Sequence, residues 1–288
     1  MPELPEVTVI VKGLDKKLKG LTFAGVEYDW PKKFYWNGFS MKDLKGAKVK
    51  KVERIGKVVK IETDRAFTIL IHLKLTGQLI YQDEKTRIAG GHPIPPLNSP
   101  VPNKTTRATF EFTGGGHLYF NDLRKFGWVK IVHSDQGSVD SAIGKLGPDA
   151  LEISYKDFAQ RLKKKPNSRI KKLLMDQAFV SGIGNIYSDE ALWRAKIHPA
   201  RSVASLSEVE IKALHKGIND AMKLAISKGG SSANSFVGSG GGKGLFLSFA
   251  KAYHMTGRPC ERCGALIVRK KMDGRSAHFC PACQRLEP

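Results

Sequence analysis

The residues best equipped for chemistry stand at the start of the chain, Met1-Pro2-Glu3-Leu4-Pro5-Glu6. Removal of Met1, which a small second residue permits, would make the Pro2 nitrogen a secondary amine. With an α-amino-type pKa, that amine is substantially unprotonated near neutrality, unlike a lysine. It can attack an electrophilic carbon and leave an iminium, a cationic electron sink. Glu3 is a candidate proton donor beside it. The same residues also read as a helix start, with proline early and an acid at the positive end of the dipole. A second group is Cys260-x2-Cys263-x16-Cys280-x2-Cys283, two C-x-x-C hooks around a short hairpin that turns at Asp273-Gly274. Four thiolates so spaced suit a tetrahedral Zn²⁺ and leave no open position, so the metal would be structural. A redox dithiol, or His278 in place of one cysteine, is the competing assignment. The third group is Gly182-Ile183-Gly184-Asn185-Ile186-Tyr187. A glycine hairpin feeding a helix N-terminus offers N–H groups and a positive dipole end to a phosphate, with Asn185 and Tyr187 as added donors. A plain helix corner with Asn185 as its cap is the alternative.

The charge balance narrows the partner. Lys+Arg number 48 against Asp+Glu 27 over 288 residues, a net +21, which points to a polyanion. No apolar run reaches membrane-span length and nothing resembles a secretory signal, so a cytoplasmic, nucleic-acid-binding protein is expected. All the cysteines lie in the terminal cluster, which favours metal over disulfides. No nucleotide or redox cofactor motif is present, and no coiled-coil seam, so a monomer is expected.

Elements must hold these groups in place. Val7, Ile10, Val11, Leu14 and Leu18 recur at helical spacing over 5–19, which would anchor the N-terminus. Eight strands follow, at 22–30, 47–54, 57–63, 67–73, 78–82, 107–113, 117–121 and 128–132, predicting an antiparallel β-sandwich or flattened barrel. The proline-rich stretch 87–104 reads as a surface loop. Beyond Gly147-Pro148 the pattern turns helical, at 155–165, 169–177 and 185–195. A capping box at Ser205–Glu208 opens a helix carrying Val209, Leu214, Ile218, Met222 and Ile226. A Gly/Ser-rich segment, 231–244, precedes the cysteine module. The fold class is therefore α+β and multidomain. Its expected parts are a β-sandwich (1–134), a linker (135–150), a helical domain (151–228), a glycine-rich connection (229–252) and a zinc finger (253–288).

The N-terminal hexapeptide, the Gly-Ile-Gly-Asn-Ile-Tyr hairpin and the four-cysteine hairpin, in this order and at these distances, resemble the bacterial formamidopyrimidine-DNA glycosylases, of the superfamily shared with endonuclease VIII. The resemblance spans essentially the whole chain. It implies a helix–two-turn–helix DNA-binding domain between the sandwich and the zinc finger, and damaged double-stranded DNA as partner. It also implies Pro2 as nucleophile at the deoxyribose C1′, Glu3 as proton donor to the sugar oxygen, and β- then δ-elimination through the iminium. Glu6 matches a second acid near the site, Lys57 a lysine near the active-site phosphate, and Arg275 the zinc-finger arginine that grips phosphates. Leu75, Arg124 and Phe126 match the side chains that fill the gap left by a flipped base, as an apolar wedge, an aromatic and a guanidinium would. Lys171, Asn185, Tyr187 and Arg107 fall at or near DNA-facing positions. His72 matches a family histidine and equally fits a satisfied core residue.

Four departures accompany the match. Leu75 stands where methionine is usual. Asp122-Leu123-Arg124-Lys125-Phe126-Gly127 replaces Asp-Pro-Arg-Arg-Phe-Gly, so Lys125 keeps the charge without the guanidinium fork. Lys104-Thr105-Thr106 lacks a DNA-contacting histidine, and Pro166-Asn167 interrupts a lysine run. The length of 229–244 matches the base-capping loop of the oxidised-purine enzymes, implying 8-oxoguanine and formamidopyrimidines as substrates. Oxidised pyrimidines are the alternative substrate class, and a non-catalytic, zinc-stabilised nucleic-acid-binding protein is the alternative of another kind.

Overall fold

The computed structural model describes residues 1–91, 99–231 and 244–286, which form two compact units. The first comprises Met1–Lys145 with the described residues of the returning segment Lys228–Gly244. It opens with α1 (Leu4–Leu18), which has Pro5 in its first turn, Glu6 near its N-terminus and Lys16 and Lys17 in its last turn. Ten strands follow in two five-stranded sheets. They are β1 (Phe23–Tyr28), β2 (Phe34–Tyr35), β3 (Val49–Ile55), β4 (Val58–Thr63), β5 (Phe67–His72), β6 (Gly77–Gln82), β7 (Arg87–Gly91), β8 (Thr106–Phe112), β9 (His117–Asp122) and β10 (Trp128–His133). The sheet orders are β1-β8-β9-β6-β7 and β2-β10-β5-β4-β3. The apolar face of α1 (Val7, Ile10, Val11, Leu14, Leu18) joins Phe23, Ile61, Ile69, Leu79 and Phe110 in one core. The N-terminus is thereby fastened to the sandwich, and burial of each such side chain contributes about 1.5–3 kcal/mol.

All eight expected strands are present, and two expectations are corrected. Arg87–Gly91, read as loop, is an edge strand paired antiparallel with β6. Its residues precede the prolines and keep every N–H for the ladder. Phe34–Tyr35 pairs in parallel with β10, so the sandwich is not wholly antiparallel; two residues are too few to carry a periodic signal. Two short helices also stand in this unit, α2 (Met41–Leu44) and α3 (Gln136–Ile143), the latter within 135–150.

The second unit, Leu146–Ser227 with Leu245–Pro288, contains α4 (Tyr155–Lys163), α5 (Ile170–Leu174), α6 (Asn185–Ala195) and α7 (Glu208–Ser227), then β11 (Val268–Met272) and β12 (Arg275–Phe279). The capping box that opens α7 lies two residues beyond the expected one. Ser207 Oγ accepts from Glu210 N at 3.2 Å, and Glu210 Oε2 accepts from Ser207 N at 2.8 Å. Ser205 is instead the last residue of a 3₁₀ turn, Val203–Ser205. Val209 is 79% exposed, on the face of α7 opposite the buried Ile211, Leu214, Ile218 and Met222, so it does not join the apolar stripe expected of it. Among the described residues no helix is long and apolar enough to cross a membrane.

Candidate functional site

At the N-terminus Pro2 is buried, as are Glu3 and Glu6. Glu3 caps α1, and a reciprocal box joins it to Glu6, with Glu3 N donating to Glu6 Oε2 at 3.0 Å. The other oxygen, Glu6 Oε1, accepts from Ser231 N at 2.8 Å. One buried carboxylate thus fixes both the backbone beside Pro2 and the beginning of the glycine-rich segment. The base of that segment closes tightly, since a Cβ on Gly244 would meet Gly230 O at 2.3 Å. The capping-loop expectation for 231–244 falls mainly on 232–243, outside the described residues.

Lys57 is the second residue of the β3–β4 turn, after Gly56 at φ +55°, and is buried. Arg54 ties this turn to α1, with Nε donating to Thr8 Oγ1 at 2.8 Å and Nη1 reaching Gly56 O at 3.5 Å. His72 lies within the field of Lys57. Burial first, then the charges of Lys74 and Lys57, push its imidazole down to about 3. It is therefore neutral at working pH, and Nδ1 accepts from Lys74 N at 3.0 Å. The linkage has a definite sign. A depressed histidine pKa gives stability that is present above the unfolded value near 6.5 and is lost as pH falls towards about 3. His72→Gln should therefore lessen the drop in urea midpoint between pH 7.5 and pH 5 relative to the parent chain.

Leu75, Arg124 and Phe126 sit on two loops that one acid draws together. Asp122 is buried at the end of β9. Its Oδ1 accepts from Thr76 Oγ1 and from Arg124 N, the latter at 3.3 Å, and Oδ2 accepts from Gly127 N at 2.7 Å. Arg124 N also donates to Thr76 Oγ1 at 3.1 Å. Leu75 and Phe126 remain 38% and 46% exposed, far above any core residue, and Arg124 Cζ lies 4.7 Å from the Phe126 ring centre. Lys125, at φ +56°, places Nζ 4.3 Å over the Trp30 ring. Arg107 is placed differently from the expectation. It is buried, and its guanidinium is engaged by Asp29, Lys104 O and Asp122 O, the last at 3.1 Å. It underpins the Asp122 loop from within the protein.

In the second unit, Asn185 occupies the first position of α6 behind the N-cap Gly184, so it is not the cap. Its Oδ1 is buried without a partner among the described residues. Tyr187 is fully buried against Phe246, ring centres 5.2 Å apart. Lys171 is also inside: Nζ donates to Asp189 Oδ1 and to Ser276 O, both at 2.6 Å. Asp189 Oδ2 accepts from His278 N at 3.0 Å and contacts His278 Nδ1 at 2.9 Å. Next to it, buried Glu190 accepts from the backbone N–H groups of Lys251, Ala252 and Tyr253 at 2.8–3.1 Å and pairs with Arg194. The acids Asp189 and Glu190 thus bind α6 to the hairpin and to the turn at Lys251–Tyr253 that precedes it. Removing one partner of such a buried network costs about 3–5 kcal/mol. Asp189→Ala should lower the urea midpoint of this unit accordingly, and Asp189→Asn should cost less because it keeps an acceptor.

The β11–β12 hairpin turns at Asp273-Gly274 and leaves Arg275 exposed beside the turn. The ligand atoms of Cys260, Cys263, Cys280 and Cys283 all lie within 4.8 Å of one another. Burial, then the neighbouring cysteines, penalises the Cys283 thiolate and pushes its thiol up to about 12, whereas at Cys260 burial is outweighed by hydrogen bonds from backbone N–H groups, which hold it down at about 6. A divalent cation reverses that penalty, and the donor set fits one structural Zn²⁺.

Four residues that sequence reasoning passed over, Asp122, Asp189, Glu190 and Ser231, prove to position the others. The available signal was adjacent acids inside an otherwise apolar helix at Asp189-Glu190, and an acid closing a strand at Asp122.

Comparison with known proteins gives the same three parts. The family described as "Formamidopyrimidine-DNA glycosylase N-terminal domain" matches residues 1–129. "Formamidopyrimidine-DNA glycosylase H2TH domain" matches 146–237, and "Zinc finger found in FPG and IleRS" matches 257–286. Among curated relatives, formamidopyrimidine-DNA glycosylase of Pelotomaculum thermopropionicum is 36% identical over 100% of both chains. That of Enterococcus faecalis is 35% identical over 100% of this chain and 98% of its own. A crystal structure of wild-type Lactococcus lactis Fpg (MutM) with N7-benzyl-Fapy-dG containing DNA aligns with TM-score 0.84 and 34% identity, covering 99% of this chain and 100% of that one. MutM in complex with carbocyclic 8-oxo-G containing DNA aligns with TM-score 0.84 and 33% identity at the same coverage. Whole-length identity and three matched domains in order leave one conclusion: the chain belongs to the formamidopyrimidine-DNA glycosylase family.

Proposed function

We propose that this DNA glycosylase of base excision repair removes oxidised purines, 8-oxoguanine and formamidopyrimidines, and then cuts the strand through an iminium on Pro2. The buried N-terminal turn carries this reading. Glu6 clamps the backbone of Glu3, so the Pro2 nitrogen is held on a rigid helix start once Met1 is gone. The amine attacks C1′, the N–C1′ bond forms, and the bond from C1′ to the base breaks, with the base leaving protonated. Glu3 gives a proton to O4′ as the sugar ring opens, and the nitrogen lone pair completes the iminium. The iminium acidifies the C2′ proton. Its loss expels the 3′ phosphate by β-elimination, a further elimination expels the 5′ phosphate, and water returns the amine.

The remaining residues take supporting roles in this reading. Lys57 meets the phosphate near the reacting sugar, and Arg275 and Asn185 meet phosphates from the second unit. Leu75, Arg124 and Phe126 enter the stack where the base has left, with Lys125 on the backbone beside them. Lys171, Tyr187 and Arg107 act indirectly, by holding the hairpin, α6 and the Asp122 loop. One chain serves one lesion as a monomer, in the cytoplasm on nucleoid DNA.

Borohydride trapping tests the substrate. Duplexes carrying 8-oxoguanine opposite cytosine, thymine glycol, an abasic site or no damage would be compared. A covalent band with 8-oxoguanine at least as strong as with thymine glycol supports the purine reading. A band with thymine glycol and the abasic duplex alone moves the substrate to oxidised pyrimidines. Binding without any band reduces the chain to a binding protein.

A further inference from the structure

From the end of β1 through β2 the chain runs Asp29-Trp30-Pro31-Lys32-Lys33-Phe34-Tyr35-Trp36, a stretch of which only Asp29 and Trp30 enter the site described above. Pro31–Lys33 forms a single 3₁₀ turn, and Tyr35 Oη donates to Lys32 O at 2.8 Å. Phe34 and Tyr35 then lie opposite Val129 and Lys130 of β10, the strand that leaves the Arg124–Phe126 loop. This register brings Trp30, Lys33, Lys125 and Gly127 around one small cavity. Lys125 Nζ covers the Trp30 ring, and Lys130 Nζ lies 4.9 Å from the Trp128 ring centre and 5.7 Å from that of Tyr35.

The charges here are of one sign. Asp29, the stretch's acid, is engaged by Arg107. Lys32 is exposed, and neither the Lys32 nor the Lys33 ammonium has a hydrogen bond or ion pair among the described residues. Burial, and then the charge of Lys33, lowers Lys130 from its ordinary value, so these ammonium groups feel one another. Crowding cations gains a folded chain nothing, whereas a polyanion laid across them releases its counterions.

We propose that Lys32 and Lys33, presented beside Trp30 and Lys125, hold the DNA backbone next to the nucleotides engaged by Arg124 and Phe126. The inference rests on the reading of that loop as the one entering the duplex. It adds a second backbone contact continuous with it and lengthens the footprint on one side of the lesion.

The test is binding of the full-length protein to a duplex containing a tetrahydrofuran site across a salt series. For the Lys32→Gln/Lys33→Gln pair, the slope of log Kobs against log salt should become shallower by about 0.9 per lost phosphate contact. The Lys212→Gln/Lys216→Gln pair on α7 should leave the slope unchanged. Shortening the duplex on one side of the lesion should erase the difference between parent and Lys32→Gln/Lys33→Gln protein, and shortening the other side should not. A structural role for these lysines would not produce that asymmetry. An unchanged slope with parent binding intact overturns the backbone contact alone. A parent chain with no salt-dependent affinity for the damaged duplex overturns both this contact and the DNA reading of the loop.

Discussion

Protein that keeps one residue ahead of Pro2 should yield no covalent band with an abasic duplex under borohydride, while its DNA binding should stay close to that of the processed chain. The added residue turns the Pro2 amine into an amide, which has neither a free lone pair nor the ability to become an iminium. Loss of a nucleophile of this kind costs on the order of 10³-fold or more in turnover. The structure makes this a clean experiment, because Met1 is 40% exposed and the clamp on Glu3 runs through its backbone N–H to Glu6. An extension therefore has room outside the core and leaves the helix cap in place. Intact mass would assign each preparation. Equal trapping by extended and processed protein would remove Pro2 from the mechanism and direct attention to a lysine.

Stripping the metal has the other large effect. Structural zinc sites contribute about 10–16 kcal/mol of apparent binding free energy at neutral pH, as much as a whole domain's net stability. Cys280→Ser is the sharpest version. Cys280 is fully buried, and its backbone N–H donates to Gln284 Oε1 at 2.9 Å. Gln284 in turn donates to Ile197 O at 2.8 Å, just past the end of α6. Unfolding of the hairpin thus also removes the contacts of His278 and Ser276 with Asp189 and Lys171. Zinc content should fall from one equivalent to none, the near-ultraviolet circular dichroism should weaken, and affinity for damaged duplex should drop at least tenfold. A Cys280→Ser protein that binds DNA like its parent would make the finger dispensable.

The parts of the molecule written in local patterns were legible in the sequence. The α1 face at Val7, Ile10, Val11, Leu14 and Leu18, the eight longer strands, the hairpin turn at Asp273-Gly274 and the cysteine spacing all follow from periodicity or from residues with one obvious use. What sequence reasoning missed depends on partners distant in the chain. A two-residue strand such as Phe34–Tyr35 exists because β10 lies beside it. Lys171 and Arg107 have the type and neighbourhood of DNA contacts. Only the positions of Asp189, 18 residues away, and of Asp29, 78 residues away, show that their charges are spent internally. Burial of a cation is set by whether an acid reaches it, and neither composition nor spacing encodes that.

The Glu6–Ser231 hydrogen bond has a bearing on synthesis. Its two ends are 225 residues apart, and the chain leaves the first unit at Lys145 and returns only at Lys228. At roughly 5–20 residues per second, the ribosome delivers Ser231 on the order of 10–45 s after Glu6. A nascent sandwich can bury its core long before then, but its N-terminal turn waits, half-clamped, for a segment made only after Leu146–Ser227. Completion of the Glu6 clamp is thereby tied to synthesis of Leu146–Ser227, so products truncated before Ser231 would keep the Glu3–Glu6 box without its second anchor.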